Sequence, residues 1–397
     1  MKITDLKCAI IGDQPTIRIT TDAGITGYGQ AERAKHYIKP HVMFYRDYIL
    51  GEDPRDVARV VGRIRKLGAF KPWGSAVSAI EVALLDIAGQ AYGIPIHRLL
   101  GGKVRDRVRM YRTGSYDRRA TEPEHFADNV RKALADPAGW TMIKQGIGFH
   151  SPMPVDVDGF YFGDPRTGPP HPNGGLLTQH GLDHMVACVK AMREAAGDKL
   201  AIALDCGPGW TVPDAIRFGK AIEPYDIVWM EDLITGDYAP HTSPGEFREV
   251  TRATSTPTHT GEQVYLRNNF RELIEQHAVR VIGPDPLDVG GLTEIKWIAE
   301  YADMHGVLMA PHGIGNGLIG FAAIVQTAAT MPDNYVASEC PSAAAATDWW
   351  ADLVDWMPDP VIREGHVEVW DRPGLGVSLV PEKAAKHLRD EDKDFFD

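Results

Sequence analysis

The sequence predicts an α/β protein: a barrel of the (β/α)8 type preceded by a smaller α+β domain. Two observations carry this. From about residue 106 onward, eight short apolar runs alternate with amphipathic helical stretches, the rhythm of a parallel barrel. Before that, residues 1–35 alternate apolar and polar, and one long helical pattern follows. A chain of 397 residues is long enough for one large barrel and a partner domain.

Taken in order, residues 1–35 carry turn signals at Asp13-Gln14-Pro15 and Asp22-Ala23-Gly24, which suggest a short antiparallel meander. "GITGYGQAE" reads as a Gly-rich loop. Residues 75–93 place Ala76, Ile80, Ala83, Leu84, Ile87 and Ala91 on one helical face, ended by Gly93 and Pro95. Residues 1–105 are therefore expected to form the capping domain, completed by a C-terminal segment, 377–397, that packs back on it. The barrel is expected over 106–376. Its strands read as VRMY (108–111), WTMIKQGI (140–147), LAIALDC (200–206), IVWMED (227–232), PTHTGEQ (257–263), VRVIGPD (279–285), VLMAPHG (307–313) and YVASE (335–339). A proline-rich stretch, 150–180, breaks the rhythm after the second strand, as a long functional loop would.

Composition narrows the function. The net charge of −12 argues against nucleic acid, which needs clustered Lys and Arg. Four scattered cysteines suggest neither a disulfide scaffold nor a zinc ribbon. The N-terminus is too charged for a signal peptide, and no run of about 20 apolar residues is present to span a bilayer. The expectation is a soluble cytoplasmic protein that binds neither nucleic acid nor membrane.

Active sites of such barrels lie at the C-terminal ends of the strands. The ionisable residues there are Lys144, Asp205, Glu231, Glu262, Asp285, His312 and Glu339. From Asp205 on, the gaps are 26, 31, 23, 27 and 27 residues, one group per βα unit of roughly 30 residues. Asp205, Glu231 and Glu262 lie on three successive strands. Carboxylates facing one point repel unless a cation sits among them, and oxygen-only ligands favour Mg²⁺. Taken singly, each could instead cap a helix or pair with an arginine. Asp285 and His312 also lie on successive strands. A carboxylate on one ring nitrogen fixes the tautomer and raises the basicity of the other, which makes a general base. A buried, satisfied histidine is the alternative.

These residues resemble the enolase superfamily, in its mandelate racemase/muconate lactonising group. "AIEVALLDIAGQAYGIPIHRLLGG" is similar to the family's helix leading into the barrel, and "TTDAGITGYGQAE" to its loop over the substrate. "ALDC", "WMED" and "THTGE" resemble its three metal-ligand strands. "PDPLDVGGLTE" and "APHGIGNG" resemble the strands of its Asp–His dyad, "VASE" its last strand and "WDRPGLGV" its closing segment. The resemblance implies Mg²⁺ and abstraction of the proton α to a carboxylate. It gives Glu339 a hydrogen bond to a substrate carboxylate oxygen, which suits a protonated carboxyl. It also implies a homo-oligomer, a dimer or an octamer.

Many members of the group carry Lys-x-Lys on the second strand. In "KQGIG", Lys144 matches the first lysine, whose implied role is to neutralise the substrate carboxylate, and Gly146 stands where the second base would be. One base suits elimination of water better than racemisation, because one histidine can take the proton and return it to the leaving hydroxyl. The implied reaction is dehydration of a sugar acid, an aldonate or aldarate, to a 2-keto-3-deoxy acid. An epimerase, racemase or cycloisomerase, or a catalytically silent binding protein, are the alternatives. Arg112, Tyr116, His150 and Trp73 are the candidate substrate contacts, with surface placement or ordinary packing as the alternative for each.

Overall fold

The computed structural model describes residues 1–67, 74–113, 120–163, 176–235, 242–313, 315–340 and 352–397. The meander is present as an antiparallel sheet of β1 (Ile3–Ile11), β2 (Gln14–Thr21) and β3 (Thr26–Gln30). The helix Ser75–Tyr92 lies across it and ends at Gly93 in the left-handed region, φ 69°. Contact is close because β3 carries glycines. A Cβ on Gly29 would stand 2.0 Å from the Ala79 carbonyl oxygen, and one on Gly27 would stand 2.3 Å from that of Ala83. Leu6, Ile17, Ile19, Val61, Ile80 and Leu84 fill this domain's core.

The eight barrel strands all appear, several shorter in their laddered part than the apolar runs. They are β4 (Arg107–Thr113), β5 (Met142–Gly146), β8 (Ala201–Asp205), β9 (Met230–Glu231), β10 (Thr258–Thr260), β11 (Val281–Ile282), β12 (Leu308–Met309) and β13 (Ser338–Cys340). Each pairs in parallel with its sequence neighbour, and β13 pairs with β4. A parallel bridge between Met309 and Tyr335 joins β12 to the approach of β13 and closes the ring. A helix follows each of the first seven strands, from Pro123–Ala135 to Leu318–Ala328. Residues after β13, 341–351, lie outside the described residues. Tyr111, Met142, Ala203, Trp229, Val281, Ala310 and Ala337 pack inside the barrel.

The proline-rich insertion is anchored. It contains β6 (Tyr161–Phe162) and β7 (Leu176–Leu177), an antiparallel ribbon. Phe149 packs edge-on against both Phe160 and Trp210, centroids 6.0 and 5.5 Å apart. The C-terminal stretch contacts the first domain. After β14 (His366–Glu368), antiparallel to β4, the Leu375 N–H donates to Asp86 Oδ1 at 2.9 Å. Further on, Asp392 Oδ2 accepts from the Ile10 N–H at 2.8 Å, and Arg18 donates to the Phe395 carbonyl at 2.7 Å.

Candidate active site

Side chains alternate across a strand. On β5, Gln145 points out and accepts from Asn129 of the flanking helix at 3.3 Å. Lys144 points into the barrel and is buried. Its ammonium stands 2.5 Å from Glu231 Oε1, 3.3 Å from Glu339 Oε1 and 3.4 Å from Asp205 Oδ2. It also lies over the Tyr111 ring, 5.9 Å from the centroid. Burial alone would lower its pKa, but Glu231 and Glu339 outweigh burial and hold the lysine well above its ordinary value. Lys144 is thus a permanent cation at the barrel mouth.

His312 supplies the second positive centre. Its Nδ1 lies 2.7 Å from Asp285 Oδ2, so the expected dyad is formed. Asp285 is fixed in turn by the Leu287 N–H, which donates to Oδ1 at 2.6 Å, and by Asn316 at 3.4 Å. His312 Nε2 faces inward, 3.4 Å from Glu262 Oε2 and 3.3 Å from Glu339 Oε2. Burial pulls the imidazolium down, yet Glu339 and Asp285 override it and raise His312 to about 10. Glu339 lies between Lys144 and His312. Burial would raise it, but Lys144 and His312 pull it down to about 2. Its Oε2 accepts from the Gly313 N–H at 2.9 Å.

The carboxylates expected as metal ligands surround the same point. Glu231 Oε2 accepts from Trp229 Nε1 at 2.8 Å and faces His259 Nδ1 at 3.4 Å. Burial pushes Glu231 up to about 7 against the pull of Lys144. Asp205 sits beside Lys144 and 3.4 Å from His150 Nδ1. Among the described residues, the carboxylates whose oxygens lie within 4.8 Å of one another are Glu231, Asp232 and Glu262, all buried. Five carboxylates, Asp205, Glu231, Glu262, Asp285 and Glu339, face Lys144 or His312, and Asp232 adjoins them. That excess of oxygen-only negative charge fits a hard divalent cation. Asp232 was missed in the sequence because alternation aims it away from Glu231's side. Its backbone is left-handed, φ 53°, which breaks the alternation. His259, which stacks on Trp229 at 4.9 Å behind Glu231, gives no local signal.

Of the two candidate substrate contacts among the described residues, His150 reaches the site. It follows β5 in a short 3₁₀ turn, Gly148–His150, and its side chain is partly exposed. Its ring lies over Gly146: a Cβ there would stand 3.2 Å from Cδ2 and 2.7 Å from the His150 carbonyl oxygen. The space where a second lysine would start is therefore occupied. Arg112 is turned away. Tyr111 and Thr113 point inward on β4, Thr113 bonding Glu339, so Arg112 points outward. It lies 4.0 Å from Asp136 and over Trp140. Tyr116 and Trp73 lie outside the described residues.

Comparison with known proteins settles the family. The family model described as enolase C-terminal domain-like matches residues 126–384. The model for the mandelate racemase/muconate lactonizing enzyme N-terminal domain matches residues 12–101. The chain belongs to the enolase superfamily. Within it, the chain sits in the mandelate racemase/muconate lactonizing group beside sugar-acid dehydratases. D-xylonate dehydratase of Haloferax volcanii is 32% identical, covering 98% of this chain and 89% of its own length. D-galactarolactone cycloisomerase of Agrobacterium fabrum is 28% identical over 80% of this chain and 75% of its own. The crystal structure of a mandelate racemase/muconate lactonizing enzyme-like protein from Rubrobacter xylanophilus superposes with a TM-score of 0.81, at 33% identity and 98% coverage of both chains. No helix among the described residues is long and apolar enough to cross a membrane.

Proposed function

We propose that this superfamily member is a Mg²⁺-dependent hydro-lyase that dehydrates an aldonate or aldarate to a 2-keto-3-deoxy acid. The observation that carries it is the Asp285–His312 dyad, with Nε2 aimed at the carboxylate cluster and no second lysine opposite. Lys144 neutralises the substrate carboxylate. His312 Nε2, in the neutral imidazole that a divalent cation among the carboxylates would favour, takes the proton from the α-carbon, while Nδ1–H stays bonded to Asp285. The electron pair left on the α-carbon delocalises into the carboxylate, then expels the β-hydroxyl, which leaves as water with a proton. The imidazolium returns that proton, or His150, beside Gly146, donates to the departing oxygen. The enol so formed tautomerises to the keto acid.

A divalent cation held by Glu231 and Glu262, with Asp205 as the third ligand, would offset the charge that develops on the substrate carboxylate. Asp205 is preferred over Asp232 because its close partner Lys144 is a cation whose charge role a metal ion would share. Asp232 Oδ1 is held by the Thr260 hydroxyl at 2.6 Å. A library of aldonic and aldaric acids, read out by keto-acid formation, tests the proposal. A second reading, an epimerase or cycloisomerase, draws on the cycloisomerase relative. Deuterium entering unchanged or inverted substrate, with no keto acid formed, would decide for it.

A further inference from the structure

The dyad residues come from two loops, and one capping-domain segment touches both. The segment is 30–35, just beyond β3. On one side it meets the loop after His312. The Gln30 carboxamide oxygen accepts from the Gly320 N–H at 3.1 Å, and the Arg33 N–H donates to the Gly315 carbonyl at 2.9 Å. The Glu32 side chain lies against Gly315, where a Cβ would stand 2.2 Å from Glu32 Cγ. On the other side it meets the loop after Asp285. Lys35 Nζ stands 2.8 Å from Asp288 Oδ2 and 2.5 Å from Glu32 Oε2. The other oxygen of Asp288 accepts from Ser75, at the start of the capping helix. Asp288 is tied to Asp285 by a turn: the Asp288 and Val289 N–H groups donate to the Asp285 carbonyl at 3.1 and 2.8 Å.

We propose that Lys35 is a positioning residue that clamps the two dyad loops together and so holds His312 against Asp285. Its ammonium joins Glu32, which rests on the His312 loop, to Asp288, which rests on the Asp285 loop. Glu32 and Asp288 are both largely buried, so each needs a partner, and Lys35 partners both. Removing the ammonium leaves two carboxylates in mutual repulsion. That pushes apart the loops carrying the acid and the imidazole. A displacement of about 1 Å in such a constellation costs up to about a hundredfold in rate.

The inference rests on His312 as the base, so the experiment separates the two. Lys35→Met, Lys35→Arg and His312→Asn are compared with wild type on whichever sugar acid the library screen shows to be turned over. The downfield proton signal of the His312–Asp285 hydrogen bond is recorded by NMR without substrate. The expected result is a fall of about 10–100-fold in kcat for Lys35→Met. KM should change little, the downfield signal should be lost, and Lys35→Arg should recover most of both. Unchanged kcat with the signal retained would overturn the clamp. So would a rise confined to KM, which makes Lys35 a substrate contact. Turnover by His312→Asn would sink the base reading whatever Lys35 does. If Lys35→Met does not fold, Glu32→Gln removes the charge that Lys35 holds on the His312 side. It should lower kcat in the same sense, and full kcat there would equally overturn the clamp.

Discussion

His312→Asn is the sharpest test of the chemistry, because the structure separates what the substitution keeps from what it removes. The asparagine amide nitrogen falls close to the place of His312 Nδ1, so the bond to Asp285, 2.7 Å in the native site, can be kept. Asp285 also retains its bonds from Leu287 and Asn316. Folding stability should therefore move little, by about 1 kcal/mol, the net worth of one hydrogen bond. What disappears is Nε2, the only atom of the pair that faces Glu262 and Glu339 and the space between. A positioned general base contributes roughly 10²–10⁴-fold, or about 2.7–5.4 kcal/mol of barrier at 1.36 kcal/mol per decade. The assay measures keto-acid release in H₂O, and exchange of the α-proton in D₂O, with thermal unfolding as the control. Both rates should fall together by at least the lower figure while the melting temperature holds. Near-native turnover by a folded mutant would refute the assignment. Loss of dehydration with exchange intact would place the base elsewhere and leave His312 as the acid.

Two further outcomes follow from the same geometry. Asp205→Asn should weaken Mn²⁺ binding, followed by electron paramagnetic resonance, by at least about tenfold, or 1.4 kcal/mol. Asp232→Asn should weaken it less, because Thr260 already engages that carboxylate; the reverse order would exchange the two aspartates as ligands. Glu81, buried at the domain junction and bonded to Thr293, is raised to about 7 by burial. Its folded form holds a proton more tightly than its unfolded form. It therefore contributes stability below about pH 4.5 that is lost as pH rises through 7. A rise of that size amounts to about 3 kcal/mol. Glu81→Gln should accordingly gain urea resistance over wild type at pH 8 relative to pH 5, and parallel profiles for the two proteins would contradict it.

How much of this was legible in the sequence depends on what kind of signal each residue leaves. Lys144, Asp205, Glu231, Asp285 and His312 were readable because each interrupts or ends an apolar run at the same height in successive βα units. The structure brings all five to one end of the barrel. Arg112 failed by parity: Tyr111 and Thr113 face the interior, which turns Arg112 outward, and a consistent count along β4 would have excluded it. Asp232 was hidden by a left-handed backbone that no period predicts. Lys35 and Asp288 lie 253 residues apart, and nothing local connects them.

The glycine at 146 shows why an absence in sequence needs the structure to interpret it. As sequence, "KQGIG" looks like a two-lysine site with one lysine deleted. In the fold, Gly146 and Gly207 flank a single histidine. A Cβ at 146 would meet His150 Cδ2 at 3.2 Å, and one at 207, where φ is 65°, would meet His150 Cβ at 2.8 Å. Alanine at either position would press His150 out of place, and lysine at 146 would compete with it for the same volume. The missing lysine and the histidine four residues later are then one feature, a replacement and not a gap. In the proposed reaction the substrate face opposite His312 would be bordered by the imidazole beside Asp205, a group able to donate to a hydroxyl. That substitution suits loss of water from a polyhydroxylated acid better than a second, strongly basic amine would.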